Sequence, residues 1–337
     1  MQPPAHTDVS DGLQPSGVAA FKFIDSELGR VKEVINEQLS CCPDKADVRR
    51  LVEHMNRCGG KMIRPGLVLL AGGAVGKITD EHIRVAAIME MIHNATLLHD
   101  DVIDEGQKRR GQATVNSLWG NESAVLLGDF LLSKVFKICA DLEPHVVKII
   151  ATAAGRTCEG ELRQIAQRGN WQLSETEYLD IITEKSAALF SSCCYLGGFL
   201  SGAGEAEVRL LSDFGLHLGI AFQITDDLLD IVGDEAETGK MLGNDVDKNK
   251  LTLSVIHLLA GTEENQKIKL IEKLITNSDS KEAFAEILKS GGSLEYTYGR
   301  AKEYISNATE QLSELKSSAA KESLIKTANY ITDRVTL

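Results

Sequence analysis

Leu97-Leu98-His99-Asp100-Asp101-Val102-Ile103-Asp104-Glu105-Gly106 sets three carboxylates at the end of an apolar run. The run begins far upstream. Val85, Ile88, Met89, Ile92 and Leu97 recur at helical spacing behind Asp80, which predicts one long helix capped at Asp80 and reaching Asp104. On that helix Asp100 and Asp104 share a face, and Asp101 lies about a quarter turn round. Like charges so placed repel, and nothing in the segment neutralises them. A hard divalent cation is the natural remedy: Mg²⁺ takes one or two carboxylates and completes its shell with water and phosphate oxygens.

Gln223-Ile224-Thr225-Asp226-Asp227-Leu228-Leu229-Asp230 repeats the aspartate spacing on a second apolar, helix-like segment. One acidic cluster is commonly a solvated helix face. Two copies, each embedded in hydrophobic residues, point instead to two helices facing each other across a metal cluster with a diphosphate between them.

The rest of the chain supports a helical protein with an anionic substrate. In 337 residues there are only six prolines, 43% hydrophobic and 25% charged residues. That composition favours helix and a packed core, and no period-two segments demand a sheet. The formal net charge of -13 argues against a nucleic-acid binder but leaves room for local basic clusters. Seven cysteines without a CxxC, including the adjacent pairs Cys41-Cys42 and Cys193-Cys194, read as reduced thiols of a cytoplasmic protein. Residues 1–17 read as a disordered leader without signal or transit character, and 18–337 as a single domain. No apolar run approaches the ~20 residues of a membrane span.

Basic residues follow in order. Gly59-Gly60-Lys61-Met62-Ile63-Arg64-Pro65 is a turn into a helix with two cations three apart, an anion site in outline. The helix after it looks interrupted at Gly72-Gly73. His93, seven residues before Asp100, shares the aspartate face. Gln107-Lys108-Arg109-Arg110-Gly111 is a basic turn. It can complement the helix end, and its adjacent arginines must diverge, each able to fork onto a separate phosphate. Ser174 with Glu177 is a capping box for a helix that carries Lys185 among small and apolar residues. The second aspartate helix spans Leu210 to Ile231, with Gln223 one turn before Asp227. Gly233 to Lys250 reads as a polar loop from which Lys240 and Lys250 could close over phosphates.

This order of motifs resembles the trans-isoprenyl (polyprenyl) diphosphate synthase family. GGKxxRP at 59–65, HDDVID with RRG at 99–111, KSAxLF at 185–190, FQxxDDxLD at 222–230 and GKxxGxD at 239–245 carry the likeness over nearly all of the chain after the leader. The resemblance implies an all-α bundle around a deep central cavity, in a homodimer, with Mg²⁺ as cofactor. Asp100, Asp104 and Asp226 would hold the metal, supported by Asp101, Asp227 and Asp230. Arg109, Lys185, Ser186, Gln223 and Lys240, with Lys250 nearby, would meet an allylic diphosphate. Lys61, Arg64, His93 and Arg110 would meet isopentenyl diphosphate. Ser186 stands where the family more often has Thr. At Asn249-Lys250-Leu251-Thr252-Leu253-Ser254 the family prefers Gly before the Lys and Pro after the Leu.

The growing product would run down the first aspartate helix. Met89 and Thr96 lie within about 40° of Asp100 around it. Ala95 does not, but short-chain members of the family place a bulky aromatic near Ala95 or Thr96. Small residues at both suggest a long all-trans product. The alternatives are a short-chain farnesyl or geranylgeranyl synthase, a class I terpene cyclase, which ignores isopentenyl diphosphate, and a non-catalytic prenyl-diphosphate-binding subunit, which would be expected to lose aspartates from one cluster. A greasy product also implies transient contact with a membrane at release.

Overall fold

The computed structural model describes residues 20–40, 45–57, 60–233, 248, 250–276 and 281–335. The leader, Cys41-Cys42, Gly59 and most of the 233–250 stretch, Lys240 included, lie outside the described residues. Helices dominate: α1 (Asp25–Leu39), α2 (Ala46–Arg57), α3 (Ile63–Val75), α4 (Asp80–Ile103), α5 (Val115–Trp119), α6 (Asn121–Cys139), α7 (Pro144–Ala166), α8 (Glu175–Ile182), α9 (Ala188–Leu200), α10 (Glu205–Val232), α11 (Leu253–Ala260), α12 (Glu264–Thr276), α13 (Lys281–Ser290), α14 (Ser293–Gln311) and α15 (Ala319–Asp333). The all-α expectation holds. A two-residue hairpin is added, Lys108–Arg109 pairing antiparallel with Gln112–Ala113. Its turn residues Arg110 (φ 52°) and Gly111 (φ 75°) are both left-handed, the geometry that tight hairpins prefer.

The core falls into two clusters. One gathers Leu67, Leu70, Ile88, Met91, Leu131, Phe190 and Phe214 from α3, α4, α6, α9 and α10. The other gathers Tyr178, Ile182, Ile224, Leu228, Leu253, Leu288 and Leu294. The helix α10 contributes to both, packed on α9 along one side and α14 along another. The axis of the molecule is therefore the second aspartate helix.

Several boundaries differ from the sequence expectation for physical reasons. The Gly72-Gly73 pair does not break α3. A methyl group on Gly72 would stand 2.4 Å from the His82 ring, so the glycine makes room for a neighbour rather than bending its own helix. His82 is fully buried: its Nδ1 accepts the Thr79 N–H (3.1 Å) and its Nε2 meets the Gly197 carbonyl (3.0 Å). Thr79, not Asp80, is thus the N-cap of α4. Pro65 stands third in α3, where its missing N–H is still harmless. The helix α10 begins at Glu205, five residues before the expected Leu210, because the Gly204 N–H finds Glu207 (3.2 Å). The Ser174 cap is as expected, its hydroxyl accepting from the Glu177 N–H at 3.3 Å.

Between α8 and α9 the chain makes a π-helical turn, Thr183–Ala187. Such turns carry one residue more than the α-helix accommodates and recur at functional sites. This one is gripped from both sides. A Cβ on Gly160 of α7 would fall 2.2 Å from the Lys185 nitrogen, and one on Gly219 of α10 2.5 Å from the Ala187 Cα. Only glycine lets the backbones approach so closely. Arg156 of α7 adds two bonds to Glu184 (2.6 and 3.1 Å).

Candidate active site

The first aspartates stand at the C-terminal end of α4, each in a different setting. Asp101 is buried and takes both Nε and Nη2 of Arg109, at 2.9 and 2.7 Å. The hairpin turns Arg109 back to make this fork, so the basic turn serves the aspartate helix directly. Arg109 also lies within electrostatic reach of Asp100 and of Asp226 on α10, which puts one cation between the two aspartate clusters. Asp100 is pushed up to about 6, chiefly by burial, while Lys185 and Arg109 pull it down and Glu161 and Asp104 add to the rise. Asp104 has the opposite fate. Burial alone would raise it, but Lys250, Lys248 and Lys185 outweigh that and hold it below the usual range. Lys250 meets its carboxylate at 3.0 Å and Arg168 of α7's C-terminal end at 2.9 Å, while Lys248 bonds its carbonyl.

The second cluster lies on α10. Asp227 is buried, with Oδ2 accepting from the Tyr178 hydroxyl and Oδ1 from the Gln223 amide, both at 2.7 Å. Gln223 in turn accepts from Ser186 at 2.7 Å. Asp226 faces Arg334, 3.9 Å away, whose guanidinium also lies over the Phe222 ring at 5.3 Å. Asp230 is half-buried one turn further along.

Lys185 projects from the π turn. Its ammonium bonds the Gln164 amide oxygen at 2.6 Å and pairs with Glu161. It lies within electrostatic reach of Asp100 and Asp104. Lys185, Ser186, Gln223 and both clusters therefore lie together.

The second set of basic residues gathers nearby. Arg64 is buried beneath the Phe190 ring (4.8 Å to its centre), and desolvation lowers its pKa against the pull of Glu90. Glu90 is itself 4% exposed, its carboxyl raised by burial although Arg64 and Arg110 oppose the rise. A Cβ on Gly60 would come 3.0 Å from Glu90 Oε1 and 3.2 Å from Arg110 Nη1, so these groups share one locality. Lys61 meets the Tyr330 hydroxyl of α15 at 2.9 Å. His93 is half-buried, and its carbonyl accepts from the Thr96 hydroxyl at 2.8 Å. Met89 is fully buried, Ala95 is buried and Thr96 half-buried.

Sequence reasoning missed Glu90, Glu161, Gln164, Arg168, Tyr178, Lys248 and Arg334. Glu161 and Gln164 stood in view as polar residues near a helix end, three apart, the one signal that could have drawn them in. The C-terminal eighty-odd residues offered no motif, yet α15 supplies Tyr330 and, at its end, Arg334.

A polyprenyl synthetase family model matches residues 45–290. The octaprenyl diphosphate synthase of Escherichia coli K12 is 36% identical over 313 residues, 91% of this chain and 96% of that protein. A short chain isoprenyl diphosphate synthase of Methanothermobacter thermautotrophicus is 35% identical over 85% of this chain and 90% of that one. Among solved structures, a polyprenyl synthase from Caulobacter crescentus complexed with calcium and isoprenyl diphosphate superposes with a TM-score of 0.89 at 30% identity, covering 96% of this chain and 99% of that one.

Proposed function

Since the chain belongs to the polyprenyl synthetase family, matched over residues 45–290, we propose that it is a prenyltransferase that condenses an allylic diphosphate with isopentenyl diphosphate, repeatedly, to a long-chain all-trans polyprenyl diphosphate. The observation that carries this reading is Arg109, bonded to Asp101 and within reach of Asp226. It makes one site of two acidic clusters.

The donors fit a hard cation. Asp100, Asp104 and Asp226 offer oxygens only, and the raised Asp100 carboxyl reports crowding and burial that a cation relieves. Among the described residues no three His, Cys, Asp or Glu side chains converge on one point. Mg²⁺ suits an all-oxygen donor set, because it keeps water and phosphate oxygens in its shell and needs few carboxylates. When bound, it supplies Lewis-acid assistance to the departing diphosphate. Lys185 and Arg109 stabilise the negative charge that accumulates there. Lys61, Arg64, Arg110 and His93 hold the second diphosphate so that its double bond lies against the allylic carbon. Lys250, bonded to Asp104 at 3.0 Å, adds a cation on the allylic side. No protein nucleophile is required.

Purified chain, Mg²⁺, labelled isopentenyl diphosphate and a series of allylic primers form the direct test. Sizing the dephosphorylated products gives chain length and primer preference. Product made without isopentenyl diphosphate would indicate a cyclase, and no product from the chain alone would indicate a binding subunit.

A long product is supported by the small residue Thr96, half-buried about one turn from Asp100, whereas Ala95 and Met89 are packed into the core. Thr96→Phe should shift the product to shorter chains. An unchanged distribution by chromatography would rule out this wall of the tunnel.

A homodimer is supported by α6, which exposes Val125 (39%), Leu126 (66%) and Phe136 (72%). Val125 and Phe136 lie three turns apart on one face. Such a stripe is costly to leave in water. Sedimentation should give a dimer, and Phe136→Glu should weaken it; a wild-type monomer would overturn the assignment. No helix among the described residues is long and apolar enough to cross a membrane. Cys139, Cys158, Cys193 and Cys194 are free thiols, which supports a cytoplasmic enzyme whose product leaves through transient membrane contact.

A further inference from the structure

Tyr178 lies outside every motif, seven residues before Lys185, and is 2% exposed. Its hydroxyl is not spent on packing. It donates to Asp227 Oδ2 at 2.7 Å, and Asp227 Oδ1 accepts from Gln223 at the same distance. The second link sets the amide. Gln223 turns its NH₂ group to Asp227 and its oxygen to Ser186. That oxygen then accepts the Ser186 proton at 2.7 Å. Donation thus runs inward from both ends, Ser186 to Gln223 to Asp227 on one side and Tyr178 to Asp227 on the other.

The polarity has a chemical consequence. Ser186 has one proton and gives it to Gln223, so it can offer anything else only lone pairs. Lone pairs repel a diphosphate and attract a cation. Ser186 and Gln223 are therefore matched to the positive allylic fragment rather than to the leaving anion, a distinction the motif alone does not make. Both oxygens of Asp227 carry a hydrogen bond, which makes that residue the hub of the relay.

We propose that Tyr178 is a positioning residue for ionisation: it pins Asp227, and through Asp227 it keeps Gln223 and Ser186 with their lone pairs available to the developing allylic cation. The inference rests on the prenyltransferase reading. The π turn makes it possible, because it brings Ser186 and Tyr178, on either side of the extra residue, both against α10.

The test is a double-mutant cycle on the full-length chain with Mg²⁺, both diphosphates and saturating primer. Tyr178→Phe keeps the ring and removes the hydroxyl. It should lower kcat about tenfold while KM for either diphosphate and the Mg²⁺ requirement stay within about twofold. Gln223→Leu should be slower still, and adding Tyr178→Phe to it should cost nothing further, because both act through one relay. Tyr178→Phe, having lost a buried hydrogen bond, should melt a few degrees lower and still be fully folded at the assay temperature. Losses that multiply in the double variant, an unchanged kcat for Tyr178→Phe, or a rise confined to the Mg²⁺ requirement would each overturn the proposal. A wild-type chain that turns nothing over would instead remove the prenyltransferase reading on which it stands.

Discussion

Asp100→Asn should lower kcat by about 10³-fold and yet make the protein harder to unfold at pH 7. The first effect follows from the proposed role of Asp100 as an anionic metal donor at the reacting diphosphate, about 4 kcal/mol of transition-state stabilisation. The second follows from the carboxyl's position, raised from 3.8 to about 6 chiefly by burial, with Glu161 and Asp104 adding negative charge. The folded chain holds this proton more tightly than the unfolded chain does. Its stabilising contribution is complete below pH 3.8 and is lost as the pH rises through about 6. At pH 7 the wild type therefore carries a buried charge that costs on the order of 1–3 kcal/mol. Asparagine removes it. Thermal melts with chelator should show the variant above the wild type, and the gap should narrow when Mg²⁺ is added, since ligand binding stabilises only the wild-type fold. A variant less stable than the wild type in chelator would mean that Asp100 is not under this strain.

Gly160→Ala should be nearly as damaging without touching a charged group. The added methyl would lie 2.2 Å from the Lys185 nitrogen and 2.6 Å from its Cα, both backbone atoms that cannot swing aside. Overpacking of this kind typically costs about 1–3 kcal/mol. The greater harm is to the site. Displacing the π turn by ~1 Å moves Lys185 from its place beside Asp100 and Asp104, and misplacement on that scale costs about 100-fold in rate. Gly155, five residues earlier on the same helix, has nothing within 4 Å of its would-be Cβ. Gly155→Ala should stabilise slightly, by up to about 1 kcal/mol, with full activity. Melting temperature and kcat measured on the two variants together separate a close backbone approach from a general effect of replacing glycine.

Much of this was legible from residues alone, and the reason is periodicity. The aspartates, His93 and Gln223 lie on uninterrupted α-helices, where spacing converts directly to direction. Lys185 was conspicuous because it stood among small and apolar residues. What stayed hidden depends on non-local approach. Nothing near Gly160 in the sequence announces that Lys185 will press on it, and nothing near Gly72 announces His82. The π turn is invisible to any 3.6-residue count, and Tyr178 becomes meaningful only after that turn is known. Arg109 was assigned to phosphate from its charge; its fork onto Asp101 required the hairpin, which two strand residues on each side are too short to signal.

Lys61 and Tyr330 are bonded across 269 positions of chain, and Arg334 reaches back to Asp226. A stretch that carries no acidic signature of its own therefore supplies the seal. Fragments that hold every recognisable motif but stop before α15 possess all the parts of the centre and lack its rear wall. In this protein, turnover is also a report that α15 has docked against Lys61 and the second aspartate helix.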